Sequence, residues 1–136
     1  MTLLDTLNNG DHFAAENGIQ ITEIRPGYCR AEMTVGPHHL NAGGVCQGGA
    51  IFTLGDLATA GCANAHGKLS LSINCQILFL RPAKLGDRLK AECTTPHCGR
   101  ITAIETRITN ADDELVALMS GECYQKETPF PTDGLM

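Results

Sequence analysis

Between Glu32 and Lys68 the chain carries one formally charged residue, Asp56, and that carboxylate lies in the most apolar segment of the sequence. Ala50 to Ala65 is too long for one strand, and its alanines and leucines favour a helix of roughly four turns. A helix that is apolar nearly all round must be buried on most sides. A membrane span is the competing reading. It fails because glycines, threonines and Asp56 interrupt a stretch already shorter than the roughly 20 residues a span needs.

The rest of the chain supplies strands. Residues 1–17, with Leu3, Leu4, Leu7, Phe13 and Ala14 apolar, predict one or two short helical turns, and Ile19 to Ile24 a strand. After Pro26-Gly27, Cys29, Ala31, Met33 and Val35 alternate with Tyr28, Arg30, Glu32 and Thr34, the pattern of a half-buried strand. Beyond the helix, Leu69, Leu71, Ile73, Cys75, Ile77 and Phe79 alternate with Ser70, Ser72, Asn74 and Gln76. A strand of that length spans close to ~40 Å. Pro82 ends it, and Lys84 to Asp87 is a turn. Arg88 to Thr95, Ile101 to Thr109 and Glu114 to Tyr124 follow as strands, with a loose tail beyond Thr128. This is an α+β chain, read as one domain over 1–136 with its core at 19–124. One helix cannot cover both faces of such a sheet, and the long third strand leaves an open edge. Pairing of that edge with a second copy predicts an obligate homodimer.

Composition removes several function classes. The charged fraction is 18%, against about 25% for an ordinary soluble domain, so charge is missing locally. With net charge −5, no Lys/Arg cluster and no tryptophan, the chain lacks the footprint of a nucleic-acid binder. The seven cysteines (29, 46, 62, 75, 93, 98 and 123) form no C-x-x-C and mostly occupy apolar runs, as small buried hydrophobes of a reducing cytosol do. Cys98 beside His97 reads as a hairpin tip. The His38-His39 pair has no carboxylate or thiolate at ligand spacing, so no metal is expected. The first residues lack the charged and apolar regions of a signal peptide, which predicts a cytoplasmic protein.

Asp56 carries the chemistry. A buried, unpaired carboxylate costs several kcal/mol, so it is either satisfied by a backbone amide or a hydroxyl such as Thr53 or Thr59, or it faces a pocket. Gln47-Gly48-Gly49 opens the same helix with unhindered N–H groups at its positive end, a suitable donor set for a developing oxyanion. Asp56 lies about 12 Å further along. One subunit cannot readily put both groups on a single carbonyl, whereas a two-fold dimer can place the amide of one opposite the carboxylate of the other.

Asn41-x-x-Gly44-x-x-Gln47-Gly48-Gly49, then Phe52-x-Leu54-x-Asp56-x-Ala58, resembles the hotdog-fold acyl-CoA thioesterases of the phenylacetate-degradation type. Ser72-x-Asn74 and Phe79-Leu80-Arg81-Pro82-Ala83-x-x-Gly86-Asp87 continue the similarity, which runs from about Ile19 to Tyr124. The resemblance implies a curved antiparallel sheet wrapped around one long central helix. It also implies dimers with a continuous sheet, often paired into tetramers, and active sites at the dimer interface. Gly48 then supplies the amide that polarises the thioester carbonyl, and Asp56 the carboxylate from the opposite subunit. Asn41 positions the carbonyl or the water, and Ser72 holds the water. Gln47 stands where the family has histidine; it can donate and accept hydrogen bonds but does not titrate near neutral pH. With acyl-CoA as substrate, Gly49 and the cations Arg81, Lys84, Arg88 and Arg100 are candidates for its CoA portion, and Ala58, Ala60 and Gly61 for the wall against which a ring or short chain lies. No cofactor or metal is implied. The alternatives are a non-catalytic acyl-CoA-binding hotdog protein, an enoyl-CoA hydratase or dehydratase, and a structural oligomer with a vestigial site.

Overall fold

The computed structural model describes residues 2–130. Two short helices open the chain, α1 (Leu3–Gly10) and α2 (His12–Glu16). Thr2 and Asp5 cap α1 reciprocally, and Asp11 caps α2 by accepting the Ala14 N–H at 3.0 Å. Strands β1 (Gln20–Arg25) and β2 (Tyr28–Thr34) follow, then a 3-10 turn at Pro37–His39 and the long helix α3 (Gly48–Asn64). The chain finishes with β3 (Lys68–Phe79), β4 (Arg88–His97), β5 (Ile101–Thr109) and β6 (Leu115–Pro129). All six strands form one antiparallel sheet in the order β1-β2-β4-β5-β6-β3.

Helix α3 lies across one face of this sheet, most closely over β2 and β4, and the sheet curves around it. This is the hotdog arrangement. The alternation read in β2 holds: Cys29, Ala31, Met33 and Val35 are buried beneath the helix, as are Leu89, Ala91 and Cys93 of β4. Two glycines let the helix approach closely. A Cβ at Gly55 would run into Met119, and one at Gly61 into Cys29, with Ile21 and Ile24 at 3.2 Å. Ala58 and Gly61 therefore face the sheet core instead of lining a space for an acyl group, which corrects that expectation. Among the described residues, no helix is long and apolar enough to cross a membrane.

Strand β3 departs from its sequence pattern. Ser72 pairs with Cys123 and Asn74 with Glu122, so Ile73 is an extra residue with no partner in the ladder. Such a bulge reverses which face the following side chains occupy. Before it, Ser70 is buried and Ser72 Oγ lies 3.8 Å from buried Cys123 Sγ, while Leu71 is exposed. After it, Cys75 and Ile77 are half-buried against the core. The unbroken apolar row expected from Leu69 to Phe79 is thus two half-rows on opposite faces. Gly121 makes the bulge possible, because a Cβ there would overlap the Asn74 carbonyl and sit 2.9 Å from Cys75 Cα.

The expected loose tail is partly structured. β6 continues to Pro129, and the Phe130 N–H donates to the Gly67 carbonyl at 3.0 Å; residues 131–136 of that tail lie outside those described.

Candidate active site

The loop from His39 to Gln47 is a miniature hairpin. The Asn41 N–H donates to Val45 O at 2.8 Å, Leu40 bridges Cys46, and the Gln47 N–H donates to His39 O at 2.7 Å. Asn41 stiffens its tip: Oδ1 accepts the N–H groups of Gly43 (2.9 Å) and Val45 (3.3 Å). Gly44 takes the positive φ of 81° that closes the turn. The Asn41 Nδ2 has no protein acceptor among the described residues and remains available as a donor.

Gln47 is the N-cap of α3, but its side chain makes no capping hydrogen bond. Ala50 and Ile51 donate back to the Gln47 carbonyl at 3.0 and 3.4 Å. The N–H groups of Gly48 and Gly49 are consequently open, with no acceptor among the described residues, at the positive end of the helix. They serve different grooves. Gly48 opens onto one of about 370 Å³, lined also by Asn41, Phe79 and Arg81. Gly49 and Gln47 border another of about 330 Å³, with Phe13, His38 and Thr53. The ring of Phe79 covers Gly48 so closely that an added Cβ would lie 3.0 Å from Cζ. Phe79 thus belongs to the groove, a place that its position in the apolar row and in the Phe79 to Asp87 motif did not indicate.

Asp56 stands on the side of α3 that the sheet leaves half open. Neither threonine satisfies it: Thr53 Oγ1 donates to Gly49 O (2.8 Å) and Thr59 Oγ1 to Gly55 O (3.0 Å). Asp56 makes no hydrogen bond or ion pair among the described residues. Burial is the main cause that pushes its carboxyl above the ordinary aspartate range, and the nearby charge of Asp11 adds to it. Burial pushes the thiols of Cys75 and Cys123 up, and the charge of Asp56 adds to both shifts. Sequence reasoning missed Asp11, a residue whose proximity depends on how α2 docks.

The candidate residues fall into separate places within one chain. Asn41, Gly48, Phe79 and Arg81 line one groove; Asp56 lies about 12 Å along the helix from Gly48, and Ser72 sits on β3 against Cys123. The candidate cations are more scattered. Arg81 borders the Gly48 groove and pairs with Glu114 at 3.0 Å. Lys84 is exposed, with its side chain free of ion pairs among the described residues. Arg88 is engaged with Thr34 (3.1 Å) and Glu32 (3.4 Å). Arg100 follows the far end of β4, roughly 30 Å from Arg88 at ~3.3 Å per residue. A single chain therefore does not gather all four cations around one ligand.

The chain belongs to the thioesterase superfamily, whose family model matches residues 43–117, and it is a hotdog-fold thioester hydrolase. It is 34% identical over 116 residues to the acyl-coenzyme A thioesterase PaaI of Escherichia coli, covering 85% of this chain and 83% of that protein. The structure of the E. coli PaaI protein from the phenylacetic acid degradation operon superposes with a TM-score of 0.89 at 31% identity, over 93% of this chain and 92% of the other. A Streptococcus mutans protein, smu.793, solved bound to acetyl CoA, is similar with a TM-score of 0.76 at 25% identity, over 79% and 88% of the two chains.

Proposed function

We propose that the protein hydrolyses an acyl-CoA or aroyl-CoA thioester to the free carboxylic acid and CoA, in sites that each draw on two subunits. The observation that carries this reading is the separation of Gly48 and Asp56 along one helix. The edge strand β3 offers the means to join them. It is twelve residues long, and Leu71, Ile73, Leu78, Phe79 and Leu80 on and beside it are each more than half exposed. Antiparallel pairing of two β3 edges about a two-fold axis extends the sheet and sets the two α3 helices antiparallel. Gly48 of each copy then meets Asp56 of the other. Two such dimers combining into a tetramer is the further assembly the family resemblance suggests.

In this site the thioester carbonyl accepts the Gly48 N–H, with Asn41 Nδ2 as a second donor. Ser72 holds a water whose proton passes to Asp56 as its oxygen attacks the carbonyl carbon. The tetrahedral oxyanion stays on the amide until it collapses and expels the CoA thiolate. The alternative is direct attack by Asp56 to give a mixed anhydride, which water then cleaves. An elevated carboxyl range suits Asp56 as a base near neutral pH. Arg81 and Lys84 are the groups of this chain best placed for the CoA portion, whereas Gly49 borders the separate groove beside Gln47; the acetyl CoA-bound neighbour supports that substrate class.

The test is thiol release from acetyl-, hexanoyl-, palmitoyl-, benzoyl- and phenylacetyl-CoA. The expected result is turnover with at least one, lost by about 10²-fold or more in Asp56→Asn. Tight binding of these compounds without thiol release would instead identify a binding protein. Sedimentation as a monomer at micromolar concentration would refute the shared site. Single turnover in isotopically labelled water separates the two mechanisms, because label enters the protein carboxylate only through an anhydride.

A further inference from the structure

We infer that His39 is a positioning residue for the Gly48 oxyanion donor, an inference that rests on the hydrolytic reading above. An oxyanion amide works only if its direction is set before the reaction, and a displacement of about 1 Å can cost on the order of 10²-fold in rate. Among the described residues the Gly48 N–H has no acceptor to aim it, and it follows a glycine-rich loop. Its direction is fixed through the peptide it shares with Gln47. The Gln47 carbonyl is held by the N–H groups of Ala50 and Ile51, and the Gln47 N–H by the His39 carbonyl at 2.7 Å. With both ends of Gln47 tied, the Gly48 N–H can point only out of the helix end, into its groove.

His39 is itself an anchor. Its side chain is buried at 4% exposure. Nδ1 accepts the Gly36 N–H at 2.9 Å, just beyond β2, and Nε2 lies 2.9 Å from the Asn17 carbonyl at the end of α2. Both partners are backbone groups with fixed roles, one a donor and the other an acceptor. Only the neutral ring with its proton on Nε2 satisfies both. One imidazole thus ties the end of β2, the end of α2 and the N-cap of α3 into a single frame behind the oxyanion donor. The exposed His38, whose ring lies 3.9 Å from that of His39, makes no such bridge among the described residues.

The test compares His39→Ala and His39→Asn with wild type, using the acyl-CoA that wild type turns over best and kcat expressed per folded site. Asparagine can keep the acceptor for Gly36 but not the donor to Asn17. His39→Ala should lower kcat at least tenfold with KM changed less than threefold, and His39→Asn should recover part of that loss. A purely structural role would lower the melting temperature and leave kcat per folded site intact. The ¹H–¹⁵N resonance of Gly48 supplies an independent readout. It should shift in His39→Asn even if His39→Ala fails to fold, and the His39 ring nitrogens of wild type should report the Nε2–H tautomer. Unchanged kcat in the variants with an unmoved Gly48 resonance would overturn the inference. A wild type that hydrolyses none of the acyl-CoA panel, yet whose Gly48 resonance responds to His39→Asn, would overturn the hydrolytic reading and leave the positioning in place.

Discussion

Gly121→Ala connects the fold to the site more directly than any other single change. A Cβ at this position on β6 overlaps the Asn74 carbonyl oxygen and lies 2.9 Å from Cys75 Cα, both backbone atoms of β3. Side chains can rotate away from an added methyl; a hydrogen-bonded strand can yield only by opening the ladder. Overpacking costs about 1–3 kcal/mol, and a backbone neighbour puts this case near the upper end, about 3 kcal/mol. At about 2.1 cal/mol/K per residue, a chain of this length has an unfolding entropy of roughly 0.29 kcal/mol/K, so the melting temperature should fall by about 10 °C. Gly55→Ala is the control. Its Cβ runs into Met119 Sδ, with Ile108 Cδ1 at 3.3 Å, core side-chain atoms that can shift where a strand backbone cannot, and a loss of about 1 kcal/mol, the low end for overpacking, is expected. The variants should also differ in function. Opening β3 at the bulge moves Ser72 and the exposed edge, so Gly121→Ala should lose thiol-release activity and dissociate more readily, while Gly55→Ala keeps both. Calorimetry and sedimentation on the two proteins decide the matter. If Gly121→Ala melts within about 2 °C of wild type, or above Gly55→Ala, the argument that Gly121 accommodates the bulge is wrong.

Asp56→Asn should be inactive yet more stable near neutral pH. Burial raises the folded-state pKa above the unfolded value, so the ionised carboxylate costs stability at pH above both, and the cost disappears as pH falls through the folded pKa. Urea melts should therefore show an advantage for the variant that shrinks on acidification; a constant or reversed gap would contradict this. Asp11→Asn retains a side-chain oxygen to cap α2 but removes a charge that raises Asp56. The acid limb of its kcat/KM profile should move to lower pH, and an unmoved limb would show that this charge does not reach the base. Asn41→Asp keeps the oxygen that accepts from Gly43 and Val45 while removing the free Nδ2 donor. Turnover should drop at least tenfold at an unchanged melting temperature, and full activity would remove Asn41 from the carbonyl's surroundings.

The reading of the helix and the strands depended on local patterns, and there it was sound. An all-round apolar Ala/Leu segment leaves few options besides a buried helix, and α3 runs over Gly48–Asn64. The Cys29 to Val35 alternation translates directly into buried faces because β2 has no bulge where it pairs with β4. Asp56 stood out because charge was absent around it. The same method misread β3: its alternation is regular in sequence, but its faces switch at Ile73 because Gly121, nearly fifty residues later, lets that strand come close.

The inventory of parts was legible along the chain: one buried helix, six strands, a glycine turn at the helix start and a carboxylate within it. Those follow from periodicity and composition, which act over a few residues. The tertiary structure instead set the strand order β1-β2-β4-β5-β6-β3 and brought Ser72 against buried Cys123. It also left Asp56 without a satisfying hydroxyl and locked His39 between β2 and α2 behind the Gly48 amide. Each of these depends on contacts between segments far apart in the chain, where the deciding quantity is the distance between two backbones and not the pattern along either one.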